Sequence, residues 1–331
     1  MKTRFAFAGF RHGHILDLLA GVEERPDAEV VACCEEDAGA RADLAAKGRV
    51  TITHTDFAKM LAEVECDVVA IGDYYGRRGA LALAALRAGR HVLSDKPLCI
   101  TIEEQSAIEK LAAEKGLLVG LQLDSRGHGA FRALREIIRS GEIGEVATIR
   151  IDGQHPLIPA TRPAWYFEPG KHGGTINDIG IHAFDLVPWL TGLDWKSVIA
   201  ARSWNQKARF APHFEDSAQV MAVLQNGAGV LADFSYVAPD RLGYQLPHYW
   251  HLLIHGSAGL VETHVFAKEV TVIKDTSEAP EIRPALENRT RGYIADFLNE
   301  MRGQKELADL TSADSLRASR LALEAQAMAK S

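Results

Sequence analysis

Residues 84–97 read AALRAGRHVLSDKP, and their pattern decides the first part of the fold. A helical stretch of alanine and leucine stops at Gly89, a short apolar strand runs from His91 to Ser94, and the strand breaks off into Asp95-Lys96-Pro97. Glycine commonly ends a helix, and proline has no N–H to give to a central ladder. The same order recurs outward in both directions. Strand-like runs stand at Arg4 to Ala8, Glu29 to Cys34, Asp67 to Ile71 and Leu117 to Leu121, with helical stretches at Ala38 to Lys47, Gly79 to Ala88 and Thr101 to Lys115. Thr101 followed by Glu104 is a capping box. Strands alternating with helices predict an α/β fold, a doubly wound parallel sheet covered on both faces.

At 331 residues the chain is longer than one core usually sustains, so two domains are expected. The rhythm changes after Leu121, which places the domains at 1–121 and 122–331. A helix near Phe131 to Ser140, the turn SGEIGE and a strand near Val146 to Ile151 lead into a loop punctuated by Pro156, Pro159, Pro163 and Pro169. Apolar runs at Ser217 to Leu224 and Gly229 to Tyr236 flank Asn226-Gly227, a hairpin signal, and another apolar pair flanks His255 to Gly259. The second domain is thus expected to be α+β with a mainly antiparallel sheet, closed by a helix from about Ser312 to Lys330. Hydrophobic residues make up 47%, charged residues 24%, and the net charge is -7. That balance fits a soluble globular protein and opposes a general nucleic-acid surface. The short apolar run before Arg11 carries no cleavage pattern and cannot span a bilayer, so it reads as a strand of a cytoplasmic protein without a membrane partner. Cys33, Cys34, Cys66 and Cys99 form neither a disulfide scaffold nor a metal pair, and read as small buried hydrophobes.

The first strand runs into Gly9-Phe10-Arg11-His12-Gly13-His14. A dinucleotide fold needs a tight turn there, close backbone approach and a helix N-terminus aimed at pyrophosphate. Gly9 fits the glycine fingerprint, while Arg11 and His14 occupy its second and third glycine places; Gly13 offers flexibility and Arg11 a charge beside the anion. The second strand ends in Glu35-Glu36-Asp37, which puts a carboxylate where it can accept both adenosine ribose hydroxyls. Two acids without an adjacent arginine would repel a 2′-phosphate, so the expected cofactor is NAD. An acidic turn capping the next helix is the plainer alternative.

Lys96, at the carboxyl edge of the sheet, can sit between nicotinamide and substrate. Far downstream stands Gly173-Gly174-Thr175-Ile176-Asn177-Asp178-Ile179-Gly180-Ile181-His182-Ala183-Phe184-Asp185. In a helix, Asp178 and His182 share a face at i,i+4, so a carboxylate and an imidazole can serve one proton transfer. Asp185 reads as structural, and Pro188 should kink or end the helix. Among the histidines, His12 and His14 stand near the turn, and His248, His251 and His255 lie in PHYWHLLIH. In a strand His251 and His255 share a face and His248 opposes them, so no metal is expected.

These segments together resemble the Gfo/Idh/MocA oxidoreductases, glucose-fructose oxidoreductase and inositol dehydrogenase among them. The resemblance runs through AALRAGRHVLSDKP, SGEIGEV, GGTINDIGIHAFD and HGSAGLVE to the terminal helix. It implies a Rossmann domain, a second domain with a large open sheet, a homodimer or homotetramer, and oxidation of a sugar or cyclic polyol. The family's catalytic lysine, aspartate and histidine fall on Lys96, Asp178 and His182, which would also contact substrate. Gly9 to His14, Glu35 and Asp95-Lys96-Pro97 would hold the cofactor. Asp73, Tyr74 and Arg78 would do so too, in a loop the family places beside nicotinamide. Asp95 replaces the family's glutamate, Tyr74 its proline and Arg78 its histidine. Trp165, Lys171 and His172 are candidate substrate contacts, with Tyr166 a further aromatic of the sugar pocket. A lyase that retains NAD and acts through a transient 3-keto sugar uses the same parts, and a non-catalytic sugar sensor is the alternative of another class.

Overall fold

The computed structural model describes residues 2–246 and 248–329. Two compact units emerge, and neither is continuous in sequence. The first comprises Met1–Leu123, Pro163–Gly173 and Tyr293–Ser319, the second Asp124–Arg162, Gly174–Gly292 and Arg320–Ser331. A single cut after residue 121 therefore leaves out two later segments that pack with the N-terminal sheet.

In the first unit, β1 (Thr3–Ala8), α1 (His14–Glu23), β2 (Ala28–Cys34), α2 (Ala38–Lys47), α3 (Phe57–Glu63), β3 (Val68–Ile71), α4 (Tyr75–Arg87), β4 (His91–Ser94), α5 (Ile102–Lys115) and β5 (Val119–Leu121) follow one another. The strands form a parallel sheet in the order β2-β1-β3-β4-β5. Phe5, Ala6, Phe7 and Ala8 are all buried, as a strand covered on both faces requires. Thr101 caps α5 by accepting from Glu104 N at 3.2 Å. The helix read as starting at Gly79 starts at Tyr75, so Arg77 and Arg78 are helical and not in a loop. Its two glycines mislead at sequence level because they serve close packing: a Cβ at Gly76 would lie 2.5 Å from Gly170 O, and one at Gly79 2.5 Å from the Glu104 carboxyl.

The second unit contributes α6 (Gly129–Arg139), β6 (Val146–Pro156), α7 (Ile181–Thr191), β7 (Trp195–Trp204), β8 (Ser217–Leu224), β9 (Gly229–Ala238), β10 (Trp250–Gly256), β11 (Gly259–His264), β12 (Glu269–Lys274) and β13 (Glu281–Pro284). They build an eight-stranded sheet, β13-β12-β11-β10-β6-β9-β8-β7, antiparallel except between β6 and β9. Both hairpins join as expected, Gly227 taking φ +92° in the first. Burial alternates along β8, with Val220, Ala222 and Leu224 covered and Met221 exposed, the pattern of a sheet packed on one face. His251 and His255 share the outer face, but His248 precedes β10 and its ring lies 5.9 Å from that of His251, so it does not oppose them. Two helices complete the chain, α8 (Gly292–Met301) and α9 (Ser312–Ala329); Lys330, the expected end of the last, lies outside the described residues.

Pro188 neither ends α7 nor leaves its neighbour unsatisfied. Without a proline N–H, Phe184 O has no helical donor, and the Trp195 indole N–H donates to it at 3.1 Å. Trp195→Phe should therefore lower stability by about 1–2 kcal/mol in urea unfolding, and Pro188→Ala, which restores a backbone donor, should shrink that cost. An equal cost in both backgrounds refutes the compensation.

Candidate functional site

The order of the parallel sheet reverses between β1 and β3, which makes their carboxyl ends the place where such sheets bind ligands. Gly9, after β1, adopts φ +78°, and a Cβ there would stand 2.6 Å from Asp73 Cβ, after β3. Only glycine fits, and the backbone stays open to a ligand. Gly13, by contrast, has an ordinary helical φ of -64° and nothing near its missing Cβ, so the flexibility assigned to it is not used. α1 starts after Gly13 with no side-chain cap, which suits an anion at its N-terminus. Glu35 is buried beneath the turn and accepts Phe10 N at 2.6 Å and Asp37 N at 2.8 Å. Burial pushes its carboxyl up, against the pull of those two amides. A carboxylate has about four lone-pair sites, so two remain for ribose hydroxyls. The cradle, the uncapped helix and the acid at the end of β2 fit a dinucleotide.

The acidic turn is not without arginines. Arg77 pairs with Glu36, Arg11 Nη1 lies 3.4 Å from Asp37, and Arg41 donates to the carbonyls of Glu35 and Glu36. The sequence reading missed them because two come from other segments and the third from the next helical turn. Asp37 also caps α2 through Ala40 N at 2.8 Å, so the plainer capping role is present beside the binding one. Asp73 accepts its neighbour Tyr74 N at 2.7 Å. Tyr74 is half-buried, with Arg11 and Lys171 over its ring.

Lys96 and Pro97 are buried at the end of β4, beside a wholly buried Asp95. Arg78 is wholly buried as well and donates to Asp73 O, Asp95 O, Pro97 O and the Asp95 carboxylate. A guanidinium committed in this way is scaffolding, which corrects its assignment to the cofactor. Burial alone would raise the Asp95 carboxyl, but Arg78, His12 and His14 hold it well below the usual carboxylate range. His12 Nδ1 lies 2.5 Å from Asp95 Oδ2, and His14 Nδ1 lies 3.3 Å from Oδ1. Among the described residues this trio alone brings metal-type ligand atoms within 4.8 Å of one another. Its atoms are already satisfied by hydrogen bonds, with Arg78 on the same oxygen as His12. Segment 163–173 is tied to the same unit. Trp165 is buried and donates its indole N–H to Arg11 O at 3.1 Å, so its ring is not offered to a sugar. Tyr166 is buried too, its hydroxyl 2.6 Å from that of Tyr75, and His172 packs against both rings. Lys171 pairs with Glu168 at 2.5 Å, and its carbonyl accepts Gly76 N at 2.9 Å. Trp165, Tyr166 and His172, read as substrate contacts, pack among groups of their own unit, while the Lys171 side chain stays partly exposed.

In the second unit Asp178 lies in a π-helical turn, Ile176–Gly180, and His182 in the first turn of α7. A π turn has a wider period than an α-helix and is frequent at functional sites. Both side chains are buried. Tyr236 on β9 donates its hydroxyl to Asp178, and Ser125 Oγ lies 3.2 Å from His182 Nδ1, while Trp250 packs edge-on against the imidazole. Ser125 and Tyr236 were not foreseen. Tyr236 had a legible signal, a tyrosine in phase with buried Val230, Ala232 and Phe234, whose hydroxyl needs a partner inside. Ser125, in a short 3-10 turn, had none. Asp185 is structural, held by Arg126 at 2.6 Å from outside the helix.

Residues 4–123 match the family described as "Oxidoreductase family, NAD-binding Rossmann fold", and residues 131–262 match "GFO/IDH/MocA C-terminal domain". An inositol 2-dehydrogenase of Leifsonia xyli subsp. xyli is 31% identical over 66% of this chain and 61% of its own. A 1,5-anhydro-D-fructose reductase of Ensifer adhaerens is 29% identical over 52% of each. The matched region spans about half the length of the first of the curated relatives. An inositol dehydrogenase homolog from Azotobacter vinelandii, solved with NADH and myo-inositol, shares the fold with a TM-score of 0.79 at 18% identity, covering 100% of this chain and 96% of that one. No helix among the described residues is long and apolar enough to cross a membrane.

Burial lowers His12 from the ordinary 6.5 to about 4, against the upward pull of Asp95. Between those values the unfolded chain takes up a proton that the folded chain refuses, so stability should fall as pH drops from about 6.5 to about 4, by up to roughly 3 kcal/mol. His12→Asn, which keeps a donor for Asp95, should flatten this part of the stability profile. A slope unchanged in the variant shows that His12 is not its source.

Proposed function

The chain belongs to the GFO/IDH/MocA oxidoreductase family, with an NAD-binding Rossmann fold over residues 4–123, and on that premise we propose that it oxidises a secondary hydroxyl of a sugar or cyclic polyol, reversibly. The observation that carries the reading is Lys96. Lysine is rarely buried, and this one is buried at the carboxyl end of β4, the edge at which such sheets bind ligands. The names of the relatives, an inositol dehydrogenase and an anhydrofructose reductase, support the substrate class.

Gly9 to His14, Glu35 and Asp73 would hold the dinucleotide by the backbone-lined turn, the start of α1 and the carboxylate at the end of β2. When bound, NAD supplies the acceptor for the hydride leaving carbon. The protein's own task is the proton and the charge left on oxygen. Ser125 engages His182 Nδ1 and orients the imidazole, which would take the hydroxyl proton. Asp178, held by Tyr236, stabilises the imidazolium that results. The Lys96 ammonium hydrogen-bonds the oxygen as it gains charge, an interaction stronger in the transition state than in the ground state.

Lys96→Ala and His182→Ala should each lower kcat at least ~100-fold while NAD affinity changes little. The measurement is NADH formation on a panel of inositols, aldoses, glycosides and sugar acids, in parallel with NADP. Unchanged turnover in both variants removes the residue assignment, and bond cleavage without net NADH favours the lyase.

A further inference from the structure

The strand end that carries Lys96 is fastened from α4. A guanidinium offers five N–H donors in one plane, in fixed directions, and Arg78 spends four hydrogen bonds on three places. Nε donates to Asp73 O at 2.7 Å, Nη1 to Asp95 O at 3.0 Å and Pro97 O at 3.1 Å, and Nη2 to Asp95 Oδ2 at 2.7 Å. The two carbonyls on Nη1 belong to the residues on either side of Lys96. Turning the Lys96 backbone in either sense carries one of them off its donor, and a buried carbonyl stripped of its partner costs about 1–3 kcal/mol.

The other side of Asp95 is gripped as well. His12 Nδ1 stands 2.5 Å from Oδ2, and His14 Nδ1 stands 3.3 Å from Oδ1. A neutral His12 that donates from Nδ1 must accept at Nε2, where the hydroxyls of Tyr75 and Tyr166 lie at 3.3 and 3.4 Å. Side chain and main chain before Lys96, and main chain after it, are thus held by groups from α4 and from the turn after β1. A lysine at 78 would keep the charge but not the planar fork that meets acceptors on three sides.

We propose that Arg78, together with Asp95 and His12, is a positioning device that fixes the direction in which the Lys96 side chain leaves the sheet edge, an inference that rests on Lys96 being the group that meets the reacting oxygen. Misplacing a catalytic group by about an ångström costs on the order of 100-fold. Arg78→Lys in the full chain should therefore lower kcat by roughly 100-fold while substrate KM and NAD affinity stay within about threefold. In a Lys96→Ala background the same change should cost less than about threefold, because the lysine it positions is gone. Asp95→Asn, of the same shape but uncharged, should give a smaller loss with the same pattern, and serves if Arg78→Lys does not fold. An unchanged kcat, or losses that multiply with Lys96→Ala, overturns the device.

Amide hydrogen exchange over residues 94–99 separates this inference from the function it rests on. Arg78→Lys should speed exchange there about tenfold or more, whatever Lys96→Ala does to turnover. Parent-like exchange overturns the positioning, whereas faster exchange with a fully active Lys96→Ala variant overturns the catalytic reading of Lys96.

Discussion

A carboxylate with no solvent exposure depends on its partners, and Asp95 is the one on which the N-terminal unit turns. Taking the ion out of water costs several kcal/mol, and burial alone would keep the acid protonated. Arg78 reverses this with a paired charge, and His12 and His14 add to it. Each partner brings a segment with it. Arg78 brings the start of α4 and, through Asp73 O, the end of β3; His12 brings the turn after β1; Tyr75 and Tyr166 bring segment 163–173. Satisfying one buried charge thereby ties together the strand ends from which the nucleotide cradle is made.

The second unit also buries ionisable side chains, and it sets hydroxyls against them. Asp178 and His182 are buried, and the hydroxyls of Tyr236 and Ser125 are among their partners. A hydroxyl can either donate or accept, so it tolerates a change of charge on its neighbour, which a fixed ion pair does not. Arg126, from the turn before α6, pairs with Asp185 in the helix that carries His182 and holds structure rather than chemistry. The π-helical turn and the proline within α7 are both departures from regular helix, and each is held by a specific group, Gln326 at Ile176 N and Trp195 at Phe184 O.

Much of this was legible. Strand runs, the capping box at Thr101 and the Asn226-Gly227 hairpin depend on neighbours in sequence and are found where expected. The errors share a cause. Gly76 read as loop and Gly79 as the start of a helix, whereas both lie inside α4, where they admit Gly170 and Glu104 from elsewhere. Trp165 read as a sugar contact because aromatic faces stack on sugar rings, and His172 because it precedes the paired glycines, but Trp165 donates to Arg11 and His172 packs against Tyr75 and Tyr166. Arg78 read as a cofactor contact because the family resemblance places its segment beside nicotinamide, but its guanidinium is spent on Asp73, Asp95 and Pro97.

The sequence by itself determined the two kinds of sheet, the family, the glycine at the cofactor turn and the residue types of the candidate site. Periodicity, turn chemistry and motif spacing are local properties, written in consecutive residues. Only the tertiary structure decided which polar groups are spent on one another. Whether Arg78, Glu35 or His12 faces a ligand or a neighbour depends on hydrogen-bond partners 17 to 83 residues away. Burial makes those partnerships obligatory, since a polar group cut off from water must find its donor or acceptor inside the protein.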